Sequence, residues 1–417
     1  MLNDFWLFAS AVLLFVGLVA TQGILLIVGS LVLIVWILAK FWDRFAFKKV
    51  NHGRSLARAR AFVGDTVEYS VTLANNKVVP LIWVDIQDTF PRQLELPGAT
   101  VRGTGMEVER EHRITTSLLP YQQVTWKYNL RCLARGYHRI GPAKLRSGDI
   151  FGFTAAETRF EGVDHILVYP RVIDLKELIL PTEHPLGETR GQRPIYEDPT
   201  RFFGLRDYHP RDPMKHIDWK ATARRSRLQT KVFEPVVALN VLIAMNATTA
   251  EFAWQGSNRR LFERAVTVAA SVADHCARAG YEFGLISNGV AVYSGKWLSV
   301  PFGSSSHQLG LVLESLAMAG PYSVVSLSDV LQQERSLLPP GATVVVITSV
   351  VTRALEAEIH DMQARGYKVL LLYSGDGGPE FRLTGVQVYS LGRVLEVLDA
   401  DPIVNEAAES DEPVLAR

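Results

Sequence analysis

An uncharged apolar run over residues 5–39 constrains this chain more than any other feature of its sequence. Its clearly polar side chains are Ser10, Thr21, Gln22 and Ser30. One helix of this length would rise roughly 50 Å, whereas the hydrocarbon core of a bilayer is about 30 Å thick. Two shorter helices over 5–20 and 23–39, joined by a tight turn, fit that thickness better. The sequence therefore predicts a transmembrane helical hairpin within residues 1–42.

A basic stretch follows the apolar run. Its cations are Lys40, Arg44, Lys48, Lys49, Arg54, Arg58 and Arg60, and Asp43 is the one acid among them. Lys and Arg next to a membrane span mark the cytoplasmic side. A cleaved signal peptide would need a basic start and a small-residue cleavage site, and both Asp4 and the Lys40 flank argue against it. We therefore expect residues 43–60 to be a basic linker and the remaining chain to lie in the cytoplasm.

Composition excludes several classes of protein. The 417 residues fit two or three domains. The 44 Lys and Arg nearly balance the 43 Asp and Glu, so no overall positive field favours a nucleic-acid partner. Cys132 and Cys276 lie far apart and provide neither a disulfide framework nor a zinc motif. We expect two reduced core thiols.

Residues 61–170 show short alternating apolar and polar runs separated by turn residues. The runs at 66–73, 82–87, 107–117, 123–131 and 143–147 have the period of two that is typical of strands. Several short strands at this spacing predict a β-sandwich, immunoglobulin-like in outline. His112 and His138 each lack a partner pattern, and we interpret them as structural or solvated rather than catalytic.

The pattern changes again towards the C-terminus. Residues 171–200 are dense in Pro, Glu, Gly and Arg and are typical of a linker, whereas residues 201–400 alternate between strands and helices. Strands are predicted at 236–245, 282–287, 343–349 and 368–373, and helices at 259–279, 307–319 and 353–365. This alternation predicts an α/β doubly wound parallel sheet. The acidic stretch 401–417 is expected to be a disordered tail.

The most distinctive segment lies at the start of this α/β region. Residues 203–224 read Phe-Gly-Leu-Arg-Asp-Tyr-His-Pro-Arg-Asp-Pro-Met-Lys-His-Ile-Asp-Trp-Lys-Ala-Thr-Ala-Arg. The segment resembles the signature of the bacterial family called domain of unknown function 58. The matching positions are Gly204, Arg206, Tyr208, Pro210, Asp212, Ile217, Asp218, Trp219, Lys220, Ala221, Ala223 and Arg224. Arg211 departs from the family pattern, which usually has Gly there. Segments 135–142, 147–152 and 168–171 also look like recurrent parts of the family.

The resemblance carries further expectations. It implies a C-terminal domain similar to the von Willebrand factor type A fold and a multi-pass protein of the bacterial cytoplasmic membrane. It also implies as partners a MoxR-type AAA+ ATPase and a transglutaminase-like membrane protein. No settled biochemical activity comes with the family, and we expect no cofactor.

Many von Willebrand type A domains bind Mg²⁺ through an Asp-x-Ser-x-Ser motif after the first strand and an Asp after a later one. The corresponding positions here are Asn246, Thr248, Thr249 and Ser349. All four are neutral, and Mg²⁺ prefers carboxylate ligands at such sites. The sequence therefore predicts no tight Mg²⁺ binding at this place.

Three readings of the signature segment compete. His209, Asp212, His216 and Asp218 are all metal-donor types, but their spacing matches no known helical or finger pattern. Asp212 and Asp218 could alternatively form the acid–base pair of an enzyme acting on an envelope-related substrate. The favoured reading is a buried ion-pair cluster, in which Arg206, Lys220 and Arg224 neutralise the two aspartates.

Three further cations of this region, Arg225, Arg227 and Lys231, are predicted to remain solvated and available to an acidic partner. The segment lacks the aromatic interleaving or broad basic face of a nucleic-acid site. The chain also lacks the phosphate-loop, nucleophile-elbow and zinc-protease motifs. The leading prediction is therefore a membrane-tethered, non-catalytic interaction or scaffold protein, and the alternative is the Asp212/Asp218 enzyme.

Overall fold

The apolar run forms two helices in the computed structural model, α1 (Leu2–Val19) and α2 (Gly23–Phe45). The structure describes residues 2–98, 101–103, 109–149, 155–175, 197–209, 214–235, 240–252, 255–291, 295–379 and 383–399. Among these residues, α2 is the helix long and apolar enough to cross a membrane, and the apolar part of α1, Phe5–Val19, is shorter. The helix α2 continues past its predicted end at residue 39, because the residues up to Phe45 include neither Pro nor Gly.

Two glycines allow α1 and α2 to approach each other closely. A Cβ atom at Gly29 would lie 2.9 Å from Leu14 Cγ, and one at Gly17 would lie 3.1 Å from Leu25 Cβ. Real Cβ atoms rarely tolerate such distances, so these positions need the small residue. Small residues at crossing points are typical of helix pairs within membranes.

The chain divides into two compact units, which are described separately. The first comprises Met1–Arg171 together with Leu313–Ala319 and Glu396–Arg417, and the second comprises Val172–Val312 and Gly320–Leu395.

The first unit is rich in strands that form several sheets. Its strands are β1 (Val50–Leu56), β2 (Arg60–Phe62), β3 (Thr66–Asn75), β4 (Leu81–Pro91), β5 (Leu94–Glu95), β6 (Val101–Gly103), β7 (Glu109–Leu118), β8 (Gln123–Cys132), β9 (Gly136–Ile140), β10 (Ala143–Gly148), β11 (Ala155–Phe160) and β12 (Asp164–Tyr169). A four-stranded sheet has the order β1-β3-β8-β5, a five-stranded sheet β11-β10-β4-β7-β6, and a three-stranded sheet β2-β12-β9. The predicted strand-rich region is confirmed.

The alternation seen in the sequence explains how these strands build a core. On β3, Val67, Tyr69, Val71 and Leu73 are buried, and the residues between them are more exposed. They join one apolar cluster with buried residues from β4, β8, β10 and β12. Burying apolar surface contributes about 25 cal/mol per Å² and is the main force that holds such sheets together.

The segment 43–60, predicted as a linker, is instead part of this unit. It contains the end of α2 and the strand β1, which pairs antiparallel with β3 from Val50↔Asn75 to Leu56↔Tyr69. Trp42 and Ala46 lie in the apolar cluster of the unit. The sequence did not indicate this strand, because β1 contains basic residues, Gly53 and few large apolar side chains. Its alternation of buried and exposed positions is therefore not visible as an alternation of apolar and polar residues.

A charged cluster lies inside the same unit. Asp88 on β4 is fully buried, and its Oδ1 accepts a hydrogen bond from Arg54 Nη1 at 2.8 Å. Tyr69 donates its hydroxyl to Asp88 Oδ2 at 3.2 Å. Arg54 also contacts Asp164 at 2.9 Å, and His52 Nε2 lies 3.9 Å from Asp88 Oδ2. The cluster therefore joins β1, β3, β4 and β12.

The second unit begins with a long hairpin, in which β13 (Glu197–Asp207) pairs antiparallel with β14 (Gln229–Pro235) and the helix α3 (Trp219–Arg225) lies between them in sequence. The strands of its sheet are β15 (Asn240–Met245), β16 (Glu282–Ala291), β17 (Trp297–Gly303), β18 (Ala319–Ser323), β19 (Thr343–Thr348), β20 (Lys368–Tyr373) and β21 (Gln387–Ser390). The helices of this part of the chain are α4 (Arg259–Ala279), α5 (Gln308–Ala317), α6 (Leu327–Glu334), α7 (Arg353–Ala364) and α8 (Gly392–Asp399).

The seven-stranded sheet has the order β17-β16-β15-β19-β20-β21, with β18 also paired to β16. The neighbours from β16 through β15, β19 and β20 to β21 are all parallel. Strand β17 is antiparallel to β16, so the sheet is mixed rather than purely parallel. Strand β17 follows β16 closely in the chain, and a short connection allows antiparallel pairing only.

The predicted boundaries in this unit agree with the structure to within a few residues where both exist. The helix α4 ends before Gly280, whose φ of +71° is the left-handed conformation that glycine adopts readily. The predicted linker overlaps β13 from Glu197 onwards. Its residues 176–196, and the predicted tail 401–417, lie outside the described residues.

Candidate functional site

The signature segment connects the two strands of the hairpin. Strands β13 and β14 pair in the register Arg206↔Thr230 and Asp207↔Gln229. Between them lie a short 3-10 turn at Met214–His216 and the helix α3. Gly204 and Tyr208 belong to this hairpin and are half-buried. Pro210 and Asp212 of the signature lie outside the described residues.

Asp218 begins the helix α3. Its backbone is extended, and its Oδ1 accepts a hydrogen bond from Ala221 N at 2.9 Å, as expected of a helix-capping residue. Its Oδ2 lies 3.8 Å from Lys231 Nζ on β14. Its backbone N–H donates to Gln229 O at 2.9 Å. The side chain is thus engaged in holding the helix and the strand, which does not suit the acid–base role considered for it.

Gln229, on β14, also holds the helix α3 against the hairpin. The sequence did not indicate this role. It is fully buried, and its backbone N–H donates to Thr222 Oγ1 at 3.0 Å. Its side-chain amide donates to Asp207 Oδ1. Nothing in the local sequence pattern marks this residue, because its partners are set by the hairpin register.

The predicted buried ion-pair cluster is not present among the described residues. Arg206, Lys220 and Arg224 are all exposed. Lys220 and Arg224 are four residues apart on α3 and share one exposed face, whereas Ala221 and Thr222 are half-buried. The two cations therefore face solvent. Lys231, expected to be solvated, is instead half-buried beside Asp218.

Large side chains of the segment are exposed together with these cations. Trp219 is 66% exposed and Met214 is 71% exposed. The exposed side chains that we call the signature surface are Met214, Trp219, Lys220, Ala223, Arg224, Arg225, Arg227 and Leu228. Asp218 is the one acid within residues 214–228, and it is occupied by the helix cap. The signature surface is therefore cationic and partly apolar.

The capping role of Asp218 leads to a first prediction. We expect Asp218→Ala to lower the free energy of unfolding by about 1 kcal/mol, because a helix loses its cap. Asp218→Asn should retain most of the stability, because asparagine also caps helices well. Denaturant unfolding of the full chain in detergent measures both, and exposed Lys220→Ala serves as the control. Parent-like unfolding of Asp218→Ala would contradict the structural role.

The second candidate site is the carboxyl edge of the mixed sheet, where the degenerate metal positions lie. Asn246 follows β15, and its Nδ2 donates to Thr348 Oγ1 at 3.0 Å. Its Oδ1 accepts from Thr248 N at 3.1 Å. Asn288, which no local sequence pattern marks, accepts a hydrogen bond from Ala247 N at 2.8 Å and donates one to Thr248 Oγ1 at 3.0 Å. Hydrogen bonds to neighbouring backbone groups and threonine hydroxyls thus satisfy both amides, and they join β15, β16 and β19.

The remaining positions at this edge are also neutral. Thr249 Oγ1 accepts from Asn258 N at 2.7 Å, next to the start of α4. The Ser349 hydroxyl is buried without a hydrogen-bond partner. The nearby carboxylate of Asp376 contacts Arg260 at 2.5 Å and Arg264 at 2.8 Å, so two cations neutralise it. The donor set at this edge therefore does not fit Mg²⁺, which requires charged oxygen ligands.

Transition-metal binding was the other possibility for the signature segment. In the part of the chain that the structure describes, no three His, Cys, Asp or Glu side chains are grouped so as to hold a metal ion. His209, His216 and Asp218 belong to that part, whereas Asp212 does not. Absence of metal from the whole chain stays a prediction.

Comparison with known proteins supports the resemblance of the signature. A family model described as "Protein of unknown function DUF58" matches residues 204–372, from β13 to β20. The chain is similar to the "Uncharacterized protein YeaD" of Bacillus subtilis (strain 168), with 26% identity over 248 residues. That similarity covers 59% of this chain and 57% of the relative, so the chain matches little more than half of the relative's length.

Solved structures resemble the chain only weakly. The pilus adhesin SpaC from Lactobacillus rhamnosus GG is 13% identical, with coverage of 42% of this chain and 30% of that one, and a TM-score of 0.28. A cohesin module from Clostridium perfringens ATCC13124 is 10% identical, with coverage of 28% and 96%, and a TM-score of 0.23. At these scores neither likeness informs the fold or the function.

Proposed function

We propose that this chain is a membrane-tethered, non-catalytic interaction protein whose signature surface docks an acidic surface of a cytoplasmic partner. The observation that carries the proposal is the exposure of Trp219 and Met214 among cations, within a segment whose one acid is engaged in a helix cap. Trp and Arg are enriched among the residues that dominate binding energy at interfaces. Exposed apolar side chains within a charged rim mark interaction sites.

The finer architecture belongs to the same proposal. We infer an immunoglobulin-like sandwich for the first unit and a von Willebrand type A-like fold for the second. The four-stranded and five-stranded sheets both contribute buried residues to one apolar cluster, and this supports the first inference. The run of parallel strands from β16 to β21 supports the second, together with the helix α4 between β15 and β16 and the helix α7 between β19 and β20.

The membrane arrangement is inferred from the N-terminal helices. The helix α2 can span a bilayer, and the close packing of α1 against it at Gly17 and Gly29 supports a hairpin with both ends on one side. The basic residues after α2 favour the cytoplasm for the rest of the chain, at the inner membrane of a bacterium. We expect a reporter fused after Arg417 to show cytoplasmic activity. A periplasmic or extracellular signal would contradict this topology.

The partner that we propose is a MoxR-type AAA+ ATPase, with a transglutaminase-like membrane protein as a further component of an envelope-related assembly. The resemblance of the signature supports this choice, and the cationic signature surface requires an acidic partner face. Electrostatic complementarity of this kind raises the association rate and decreases with salt. A membrane tether would further concentrate the two proteins at one surface.

The docking experiment uses charge reversal. We expect Arg225→Glu with Arg227→Glu to weaken binding of the MoxR-type ATPase from the same genome at least tenfold, since like charges would then face each other. Trp219→Ala should have an effect of similar size, because central Trp truncations commonly cost more than 2 kcal/mol. Titration of the ATPase against the full chain in nanodiscs provides the affinity.

The matched control reverses two exposed arginines of the first unit, with Arg139→Glu and Arg159→Glu. Both residues are exposed, and this change alters the net charge equally. The Arg225→Glu, Arg227→Glu variant must also unfold like the parent chain, so that its weaker binding reports on the signature surface and not on a loss of folding. Equal loss of binding in both double variants would show a general charge effect and contradict docking at the signature surface.

A further inference from the structure

Three large apolar side chains are exposed together at one end of the first unit. Val78 is 69% exposed, Leu119 is 67% exposed and Tyr121 is 70% exposed. Val78 lies in the turn between β3 and β4, and the other two lie in the turn between β7 and β8. The two turns are adjacent, because the Tyr121 backbone N–H donates to Lys77 O at 3.3 Å and Asn75 Nδ2 donates to Leu119 O at 3.0 Å. We call the three exposed side chains the turn surface.

The turn between β3 and β4 runs along the end of α2. Three hydrogen bonds join it to this helix and to the residues that follow it: Asn76 N to Lys49 O at 3.0 Å, Lys77 Nζ to Ala46 O at 2.6 Å, and Trp42 Nε1 to Pro80 O at 3.4 Å. As the turn proceeds, its partners lie progressively earlier in the chain, at positions 49, 46 and 42. The turn therefore descends along α2 towards the apolar part of the helix.

The depth of this contact follows from the geometry of the helix. The uncharged apolar run ends at residue 39. Trp42 lies three residues later, which is about 4.5 Å along the helix axis. The headgroup region of a bilayer is about 5–7 Å thick on each side of the hydrocarbon core. The turn that contacts Trp42 therefore lies at the level of the headgroups when α2 crosses the membrane.

The side chains at this end suit that depth. Tyrosine is enriched where membranes meet water, and the exposed Lys48 and Lys49 can pair with anionic headgroups. Tyr121 also has a φ of +59°, a conformation that turns usually assign to Gly or Asn. The turn thus accepts backbone strain while exposing a large aromatic side chain, and folding alone does not require this choice. Such strain is typical of functional positions.

We propose that the turn surface is immersed in the headgroup region of the same bilayer that α2 crosses, so that the first unit is fixed against the membrane. Val78 and Leu119 reach towards the acyl chains, Tyr121 lies among the headgroups, and Lys48 and Lys49 pair with lipid phosphates. Exposed apolar side chains with a polar rim mark contacts with proteins or membranes, and the continuity with α2 favours the membrane here. The proposal rests on the membrane arrangement inferred above and is independent of docking at the signature surface.

The test places the fluorophore NBD on a single introduced cysteine of the full chain, in nanodiscs of phosphatidylethanolamine and phosphatidylglycerol. Both native cysteines are buried, so the parent chain serves as the labelling blank. We expect lipids with a nitroxide on the headgroup to decrease the fluorescence at Tyr121→Cys at least twofold. The matched control is Thr66→Cys, an exposed position at the opposite end of β3, about 30 Å from Asn75. Its fluorescence should stay nearly unchanged.

Two further measurements separate this contact from the membrane span itself. Ile37→Cys, at an exposed position in the apolar part of α2, should be quenched by lipids with a nitroxide in the acyl chain. Val78→Asp with Leu119→Asp should reduce the quenching at position 121 at least twofold. Thermal unfolding of this double variant should match the parent, because both side chains are exposed.

The possible failures are distinguishable. Quenching at position 37 without quenching at position 121 would overturn the contact of the turn surface with lipid and leave the membrane span intact. Equal quenching at positions 121 and 66 would show that the label reports no specific contact, and it would also overturn the proposal. Absence of quenching at position 37 would contradict the span and the proposal together.

Discussion

Asp88→Ala is expected to lower the free energy of unfolding of the first unit by about 3–5 kcal/mol, the usual cost when one partner of a buried ion pair is removed. The substitution leaves Arg54 buried without its 2.8 Å contact, and it removes the acceptor of the Tyr69 hydroxyl. Most domains are stable by only about 5–15 kcal/mol, so the unit should be close to unfolding. Denaturant unfolding, followed by tryptophan fluorescence of the full chain in detergent, provides the measurement.

An exposed ion pair in the same unit supplies the control. Glu68 and Lys127 approach to 2.9 Å on the solvent side of β3 and β8. Glu68→Ala should change the free energy of unfolding by less than about 1 kcal/mol, because solvent screens such pairs. If Asp88→Ala is no more destabilising than Glu68→Ala, then the buried cluster is not a major source of stability.

Acidification is expected to destabilise the same unit before most carboxylates titrate. Burial, together with the nearby charge of Arg54, lowers the pKa of His52 to about 4, although Asp164 opposes the shift. Burial alone lowers the pKa of His112 to about 4. Both groups therefore favour folding in their neutral form. Their contribution is complete above their unfolded pKa of about 6.5 and is lost as the pH falls towards 4.

The expected loss is on the order of 3 kcal/mol for each histidine at pH 4, at about 1.4 kcal/mol per pKa unit. Melting temperatures of the full chain between pH 7.5 and 4.5 measure the effect. A His52→Gln, His112→Phe double variant removes both titrating groups and should show a flatter dependence on pH. A parent melting temperature that stays constant over this interval, or an equally steep fall in the double variant, would contradict the assignment.

Elements with a strong local period were predictable from the sequence. The helix α4 has apolar residues at helical spacing, an Asn258 cap and a terminating Gly280, and its predicted bounds coincide with those observed. The strands β15, β19 and β20 are continuous apolar runs with buried side chains, and their type was evident as well. In these cases local propensity, burial and capping favour the same structure.

Contacts between residues that lie far apart in the sequence were not predictable. Asp88 and Arg54 lie 34 residues apart in sequence and on strands of two different sheets, so only the packing of the folded unit brings them together. The strand β1 carries basic residues that resembled a membrane-flanking linker. In the signature segment, the closeness in sequence of acids and bases suggested buried ion pairs. In the structure, Lys220 and Arg224 are exposed and Asp218 caps the helix α3.

The central claim is that the signature surface contacts a protein partner at the membrane. Its most direct test is photocrosslinking in living cells, with a benzophenone amino acid placed at Trp219 and, as a control, at Tyr121, an exposed residue of the first unit. We expect a discrete adduct with the MoxR-type ATPase from position 219, which is absent from position 121 and lost with Arg225→Glu and Arg227→Glu. Adducts with lipid alone, the same adducts from both positions, or no adduct from position 219 would contradict it.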